Sequence, residues 1–118
     1  MNRQEAGAQA EEAAARFLES RGLRIVEKNF RCKMGEIDLI AEDGEALVFV
    51  EVRSRASSSF GTAAETIGFA KRRKIIKTAL FYLQSRGISD RAARFDAVTF
   101  DGGALSHIPG AFSADGGF

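Results

Sequence analysis

The sequence predicts an α/β fold, a mixed β-sheet with helices packed on it. Two observations carry this reading. Apolar residues recur at spacings of three and four over residues 5–21 and 69–86, the period of a helix. The segments between and after them are short, alternating and β-branched, bounded by Gly and Asp-Gly pairs as strands are. The resulting order, αβββαββ, lays helices against a sheet. A length of 118 residues predicts one domain, 1–118, with one proper core.

In the first helix Ala10, Ala13, Ala14, Phe17 and Leu18 form the apolar stripe, and Gly22 suits its C-terminal cap. Residues 23–29 read as a strand and 30–35 as a loop or strand end. Residues 36–42 and 46–53 read as two strands flanking Asp43-Gly44, a hairpin signal. Residues 54–61 form a polar, Ser-rich loop expected to be mobile. Thr62 and Glu65 have capping-box spacing, so a helical turn is expected there, interrupted by Gly68. The second helix, 69–86, buries Ile75, Ile76, Ala79, Tyr82 and Leu83 and stops at Gly87. Residues 94–100 form a strand and Asp101–Gly103 a turn. Residues 104–108 form a short edge strand, which Pro109 keeps from continuing as a paired interior strand. The tail, 113–118, is expected to be frayed.

Composition excludes several classes. No apolar run approaches the roughly 20 residues of a membrane helix, and the polar, acidic N-terminus does not read as a signal peptide. A single cysteine, Cys32, allows no intrachain disulfide and fits a reducing compartment, the cytoplasm. A single histidine, His107, excludes the usual Cys/His zinc sites and His-rich acid–base chemistry. Cys32 reads as a small filler or exposed thiol, His107 as a surface residue of the edge strand, and Asp96 as structural.

The formal net charge of +1 excludes a uniformly basic nucleic-acid binder. It conceals a division, however. Residues 36–51 sum to −6 and residues 53–94 to +8. Alternation along the strands puts Leu47, Phe49, Glu51 and Arg53 on one face, with Glu36, Asp38 and Ile40 sharing a face of their own strand. A turn at Asp43-Gly44 pairs Glu42 with Glu45, so Asp38 falls opposite Phe49 and Glu36 opposite Glu51. Asp38 and Glu51 then become diagonal neighbours. Both acids sit in apolar segments, where a carboxylate needs a partner or a cation. On spacing alone two readings stay open: salt bridges, such as Glu51 with Arg53, or a shared hard divalent cation. Glu11, on the edge of the first helix's apolar stripe, can approach the strand acids; Glu12 faces solvent. Lys71 to Lys74 and Lys77 cover the start and exposed side of the second helix, five bases in seven residues. Lys71 and Lys74 can face one way. With Arg53 and Arg55 they form a rim suited to a polyanion's phosphates.

Several motifs carry a resemblance: Gly7-x-x-Ala10-Glu11-x-x-Ala14-x-x-Phe17-Leu18, Gly35-Glu36-Ile37-Asp38-Leu39-Ile40-Ala41, and Val48-Phe49-Val50-Glu51-Val52-Arg53-x-Arg55. Gly61, Lys71, Arg94-Phe95-Asp96 and Ala111-Phe112 extend it over nearly the whole chain. In these the chain resembles the YraN family of small bacterial proteins, which is similar in fold to the restriction-endonuclease-like, or PD-(D/E)XK, nucleases and to Holliday-junction resolvases. The resemblance implies a three-layer αβα domain with a central mixed sheet flanked by helices. It implies a nuclease dependent on Mg²⁺ or Mn²⁺ that acts on DNA, on branched or repair intermediates in particular, and a homodimer by analogy with resolvases. Asp38 and Glu51 would be metal-binding acids and Glu11 the first-helix acid. Arg55, Lys71 and Lys74 would contact nucleic acid. Arg53 stands where the superfamily's motif has a lysine. Arginine stays protonated and cannot act as a general base, but it can stabilise charge on a phosphate. The departure admits an alternative, a catalytically impaired nucleic-acid-binding protein.

Overall fold

The computed structural model describes residues 3–55 and 67–114. Helix α1 (Arg3–Ser20) leads into strands β1 (Arg24–Cys32), β2 (Gly35–Asp43) and β3 (Ala46–Arg55). Helix α2 (Phe69–Ser85) precedes β4 (Ala93–Asp101) and β5 (Ala104–Phe112). The strands form one sheet in the order β1-β2-β3-β4-β5. It is mixed: β3 and β4 are parallel, across the α2 connection, and the other neighbours are antiparallel. This is the predicted element order in a three-layer αβα arrangement. No described helix is long and apolar enough to cross a membrane.

Each helix has its own core. Ala14, Ala15 and Leu18 of α1 pack on Leu39, Ala41, Val48, Val50 and Val98. The alanines let the helix lie close to a face made mostly of β-branched side chains. On the other face Ile75, Ile76, Ala79 and Tyr82 of α2 meet Ile37, Ile40, Phe49 and Phe95. Phe49 is 1% exposed, and its ring meets Tyr82 edge-on at 5.9 Å and Phe95 at 5.8 Å.

Several expectations are sharpened or corrected. Residues 30–32 belong to β1, and Phe30 is a core residue, so the first hairpin turns tightly at Lys33 and Met34. The second hairpin turns one residue later than expected, because Asp43 pairs with Ala46. Gly44, at φ 61°, takes the left-handed position that primed hairpin turns require. The register slips by two, which keeps Ile40 on the face of Leu47 and Phe49, but the alternation of β2 breaks between Ile37 and Leu39, so Glu36 and Asp38 do not share the face of Ile40. β5 runs through Pro109 to Phe112. It is an edge strand, and the register shift opposite Asp96 lets Pro109 and Gly110 bulge out of the ladder. Finally, Arg72 is buried at 8% exposure, donating to the Ile67 carbonyl at 2.5 Å. The loop expected at 54–61 starts inside β3, which includes residues 54 and 55; residues 56–61, the capping box at 62–65 and residues 115–118 lie outside the described residues.

His107 is not a surface residue. Its side chain is 3% exposed, with Nε2 2.7 Å from Asp96 Oδ2. Arg21 Nε donates to His107 Nδ1 at 3.2 Å, so the ring's proton sits on Nε2 and points at Asp96. Asp96, fully buried, also accepts from Arg94 Nε at 2.9 Å and from the Gly110 amide at 2.9 Å. The aspartate is thus structural: it ties the β5 bulge to β4. Removing it takes the acceptor from the buried His107 ring N–H and from the Gly110 amide, and leaves the half-buried Arg94 only its pairing with Asp43. Asp96→Ala is therefore expected to lower the unfolding free energy by about 2 kcal/mol or more, measured by urea denaturation. A loss under ~1 kcal/mol, within the range of an ordinary surface pair, would deny the network this role.

Candidate functional site

The β2–β3 ladder ends at the Leu39–Val50 pair, and the next step of the same register sets Asp38 opposite Glu51. Here the Val52 amide donates to Asp38 Oδ2 at 2.8 Å rather than to a backbone carbonyl of β2. β2 also twists at this step. Ile37 packs toward α2 but Leu39 packs toward α1, although residues two apart in a regular strand share a face. β1 accommodates the twist through Asn29, which has φ 55° and lies between the Lys28–Leu39 and Phe30–Ile37 pairs. Gly35, at φ 151°, anchors the start of β2 on α2. A Cβ there would lie 2.9 Å from Thr78 Oγ1 and 3.6 Å from Lys74 Cβ.

Four acids meet around this opening. Single carboxylate oxygens of Glu11, Glu36 and Asp38 lie within 4.8 Å of one another. Glu11 and Glu36 line an open cleft of about 270 Å³ with Gly7 and Ala8 of α1 and Asn29 and Arg31 of β1. Glu51 is outside that triplet. It is 6% exposed and hydrogen-bonds Asp38, while Lys71 Nζ lies 3.9 Å from its Oε1. Burial and then the charge of Glu51 push the Asp38 carboxyl up to about 8, with Glu11 and Glu36 adding to the rise and the Val52 amide opposing it. Burial also raises Glu51, against the nearby charges of Lys71 and Arg53 and the bond from Asp38. Burial thus holds both carboxyls of the pair toward their protonated forms, Asp38 the more because Glu51, Glu11 and Glu36 surround it.

The structure thus brings together Asp38, Glu51 and Glu11, and sets Arg53 and Lys71 near Glu51. Glu12 instead pairs on the surface with Arg16 and Lys28. The Lys74 side chain is exposed, and the side chain of Arg55 lies outside the described residues. Glu36 was missed as a site residue. Its signal was present, two residues before Asp38 in Gly-Glu-Ile-Asp, but its bond to Arg31 Nε at 2.8 Å could not be read from spacing. A set of hard oxygen donors whose mutual repulsion holds a proton in place fits Mg²⁺ or Mn²⁺.

A raised carboxylate pKa has a defined sign in stability. Asp38 keeps its proton when folded and loses it when unfolded at pH values between the ordinary 3.8 and about 8. Its contribution is complete below 3.8 and is lost as pH rises toward 8. Asp38→Asn keeps an acceptor for Val52 and removes the titration. Without divalent ions, the melting temperature of Asp38→Asn relative to the parent is expected to climb between about pH 4 and pH 8, then level off. A difference independent of pH would contradict the buried, acid-crowded environment.

The profile of the uncharacterised protein family UPF0102 matches residues 10–100. A UPF0102 protein of Dechloromonas aromatica is 54% identical over 109 residues, covering 92% of this chain and 89% of that one. One of Persephonella marina is 46% identical over 109 residues, covering 92% and 94%. One of Myxococcus xanthus is 41% identical over 116 residues, covering 95% and 92%. With a match spanning all four clustered acids, and relatives aligned over nearly their full length, the chain belongs to the UPF0102 (YraN) family.

Proposed function

We propose that this protein is a divalent-metal-dependent nuclease acting on DNA phosphodiesters, with branched or repair intermediates as its substrates. The observation that carries the reading is the convergence of Asp38, Glu51, Glu11 and Glu36 where β2 and β3 part, with Lys71 at 3.9 Å from Glu51. The restriction-endonuclease-like ancestry implied by the sequence motifs agrees with a mixed sheet between two helices. Asp38, Glu51 and Glu11 would hold Mg²⁺ or Mn²⁺, which when bound supplies a polarised phosphate and an activated water. Binding of the ion would require Asp38 to be ionised and would release any proton it carries. Arg53, always protonated, holds the phosphate and stabilises charge developing on it. Lys71, Lys74 and Arg55 hold the flanking backbone, so affinity falls as salt rises. By the resolvase analogy the protein acts as a homodimer, and its cysteine and histidine content fits the cytoplasm.

Arg53 supports a second reading, a nucleic-acid-binding protein that does not cleave. With arginine at this position, the site lacks the motif's lysine and any proton transfer it performs. Purified protein incubated with linear, single-stranded and four-way-junction DNA, with Mn²⁺ or EDTA, separates the two. The nuclease reading expects Mn²⁺-dependent cleavage that falls on the order of 100-fold or more in Asp38→Ala, the scale of Lewis-acid stabilisation. Binding without cleavage, with cleavage appearing in Arg53→Lys, supports the second reading. No binding to any of these DNAs at low salt contradicts both.

A further inference from the structure

We propose that Phe69, at the start of the basic helix α2, is a stacking platform for an unpaired nucleobase. The inference rests on the nucleic-acid reading above and narrows the substrate to single-stranded or branched nucleic acid.

Phe69 is the first residue of α2 and is 59% exposed, the most exposed of the large described hydrophobics. Its ring is held by two guanidinium groups, Arg72 at 5.6 Å and Arg73 at 6.0 Å from the centroid. Arg72 is itself buried and bonded to the Ile67 carbonyl, so the ring rests against a fixed cation. Lys71, Arg73, Lys74 and Lys77 are exposed along the same helix, and residues 69–77 contain no acid.

An aromatic face set among cations matches one ligand unit, a base carried on a phosphate backbone. The ring takes the base and the lysines take the phosphates. An apolar protein surface would satisfy the ring but leave these charges to be desolvated. Lys71, in the same first turn, points to the other side of α2, where its Nζ lies 3.9 Å from Glu51 Oε1, so a strand crossing the start of the helix can meet both residues. Within a paired duplex both faces of each base are already stacked. The ring is therefore open only to a base that has left its partner, as at a single-stranded end or a branch point.

The chain contains no tryptophan, so Phe69→Trp introduces a unique fluorophore. In EDTA, its emission is expected to be quenched by a single-stranded oligonucleotide and not by a blunt duplex. Phe69→Ala is expected to weaken single-strand binding about tenfold, the scale of one base stacked on an aromatic ring, and to leave duplex affinity unchanged. Lys71→Ala is expected to weaken both. Quenching and selective loss in a protein that never cleaves would support this inference while sinking the nuclease reading. Equal loss on both DNAs, or no quenching, overturns the inference even if cleavage is found. Unchanged DNA binding in Phe69→Ala, with a change of mass in sedimentation, overturns it in favour of a contact between copies of the chain. A parent protein that binds no DNA overturns both.

Discussion

The hydrogen bond from the Val52 amide to Asp38 is the constraint on which the rest of the structure turns. An antiparallel ladder ordinarily satisfies each inward amide with a facing carbonyl. Here a side chain substitutes, and the two central strands part beyond the Leu39–Val50 pair. The twist of β2 at this step lets Ile37 serve the α2 core and Leu39 the α1 core. It also leaves Glu36 and Asp38 beside the α1 acid Glu11, with Glu51 across the opening. Asn29 carries a conformation uncommon for a residue with a Cβ, so β1 stores some strain at the same level of the sheet.

Two aspartates of one sheet, Asp96 fully buried and Asp38 half-buried, are treated differently. Asp96 is surrounded by donors: Arg94, His107 and the Gly110 amide. Asp38 has one backbone donor and is crowded by Glu51, Glu11 and Glu36. Among the described residues no buried side-chain polar atom lacks a partner, so the crowding is not careless packing. Burial that favours a protonated carboxyl beside further acids destabilises the ionised form the cell would otherwise impose. Such local inconsistency with the demands of folding is where functional sites are found. The contrast makes Asp96 an internal reference for what a purely structural aspartate looks like in this fold.

Much of this was legible in the sequence because it depends on periodicity. The stripe from Ala10 to Leu18, the alternation through Val48 to Val52 and the glycines at 22 and 87 locate the elements and their faces. The approach of Glu11 to Asp38 followed from its place on the helix edge. Details set by single tertiary contacts were not legible. A turn at Gly44 and Glu45 rather than Asp43 and Gly44 depends on which residue takes a positive φ. Arg72 lies within a run of bases, and only its carbonyl partner at Ile67 explains its burial. His107 belongs to an alternating strand, but its partners Asp96 and Arg21 come from distant positions. The extension of β5 past Pro109 required a bulge that residue types alone do not announce.

Asp38 and its neighbours are proposed to form a cation-accepting cluster whose burial and mutual repulsion favour the protonated carboxyl. Calorimetric titration with Mn²⁺ at pH 7, repeated in buffers of different ionisation enthalpy, tests it most directly by counting protons released. With Asp38 near 8, binding should displace about one proton per ion at pH 7 and progressively fewer above pH 9, and Glu51→Gln should weaken it. No binding at millimolar Mn²⁺, or binding that releases no proton and is indifferent to Asp38→Asn, would contradict the account.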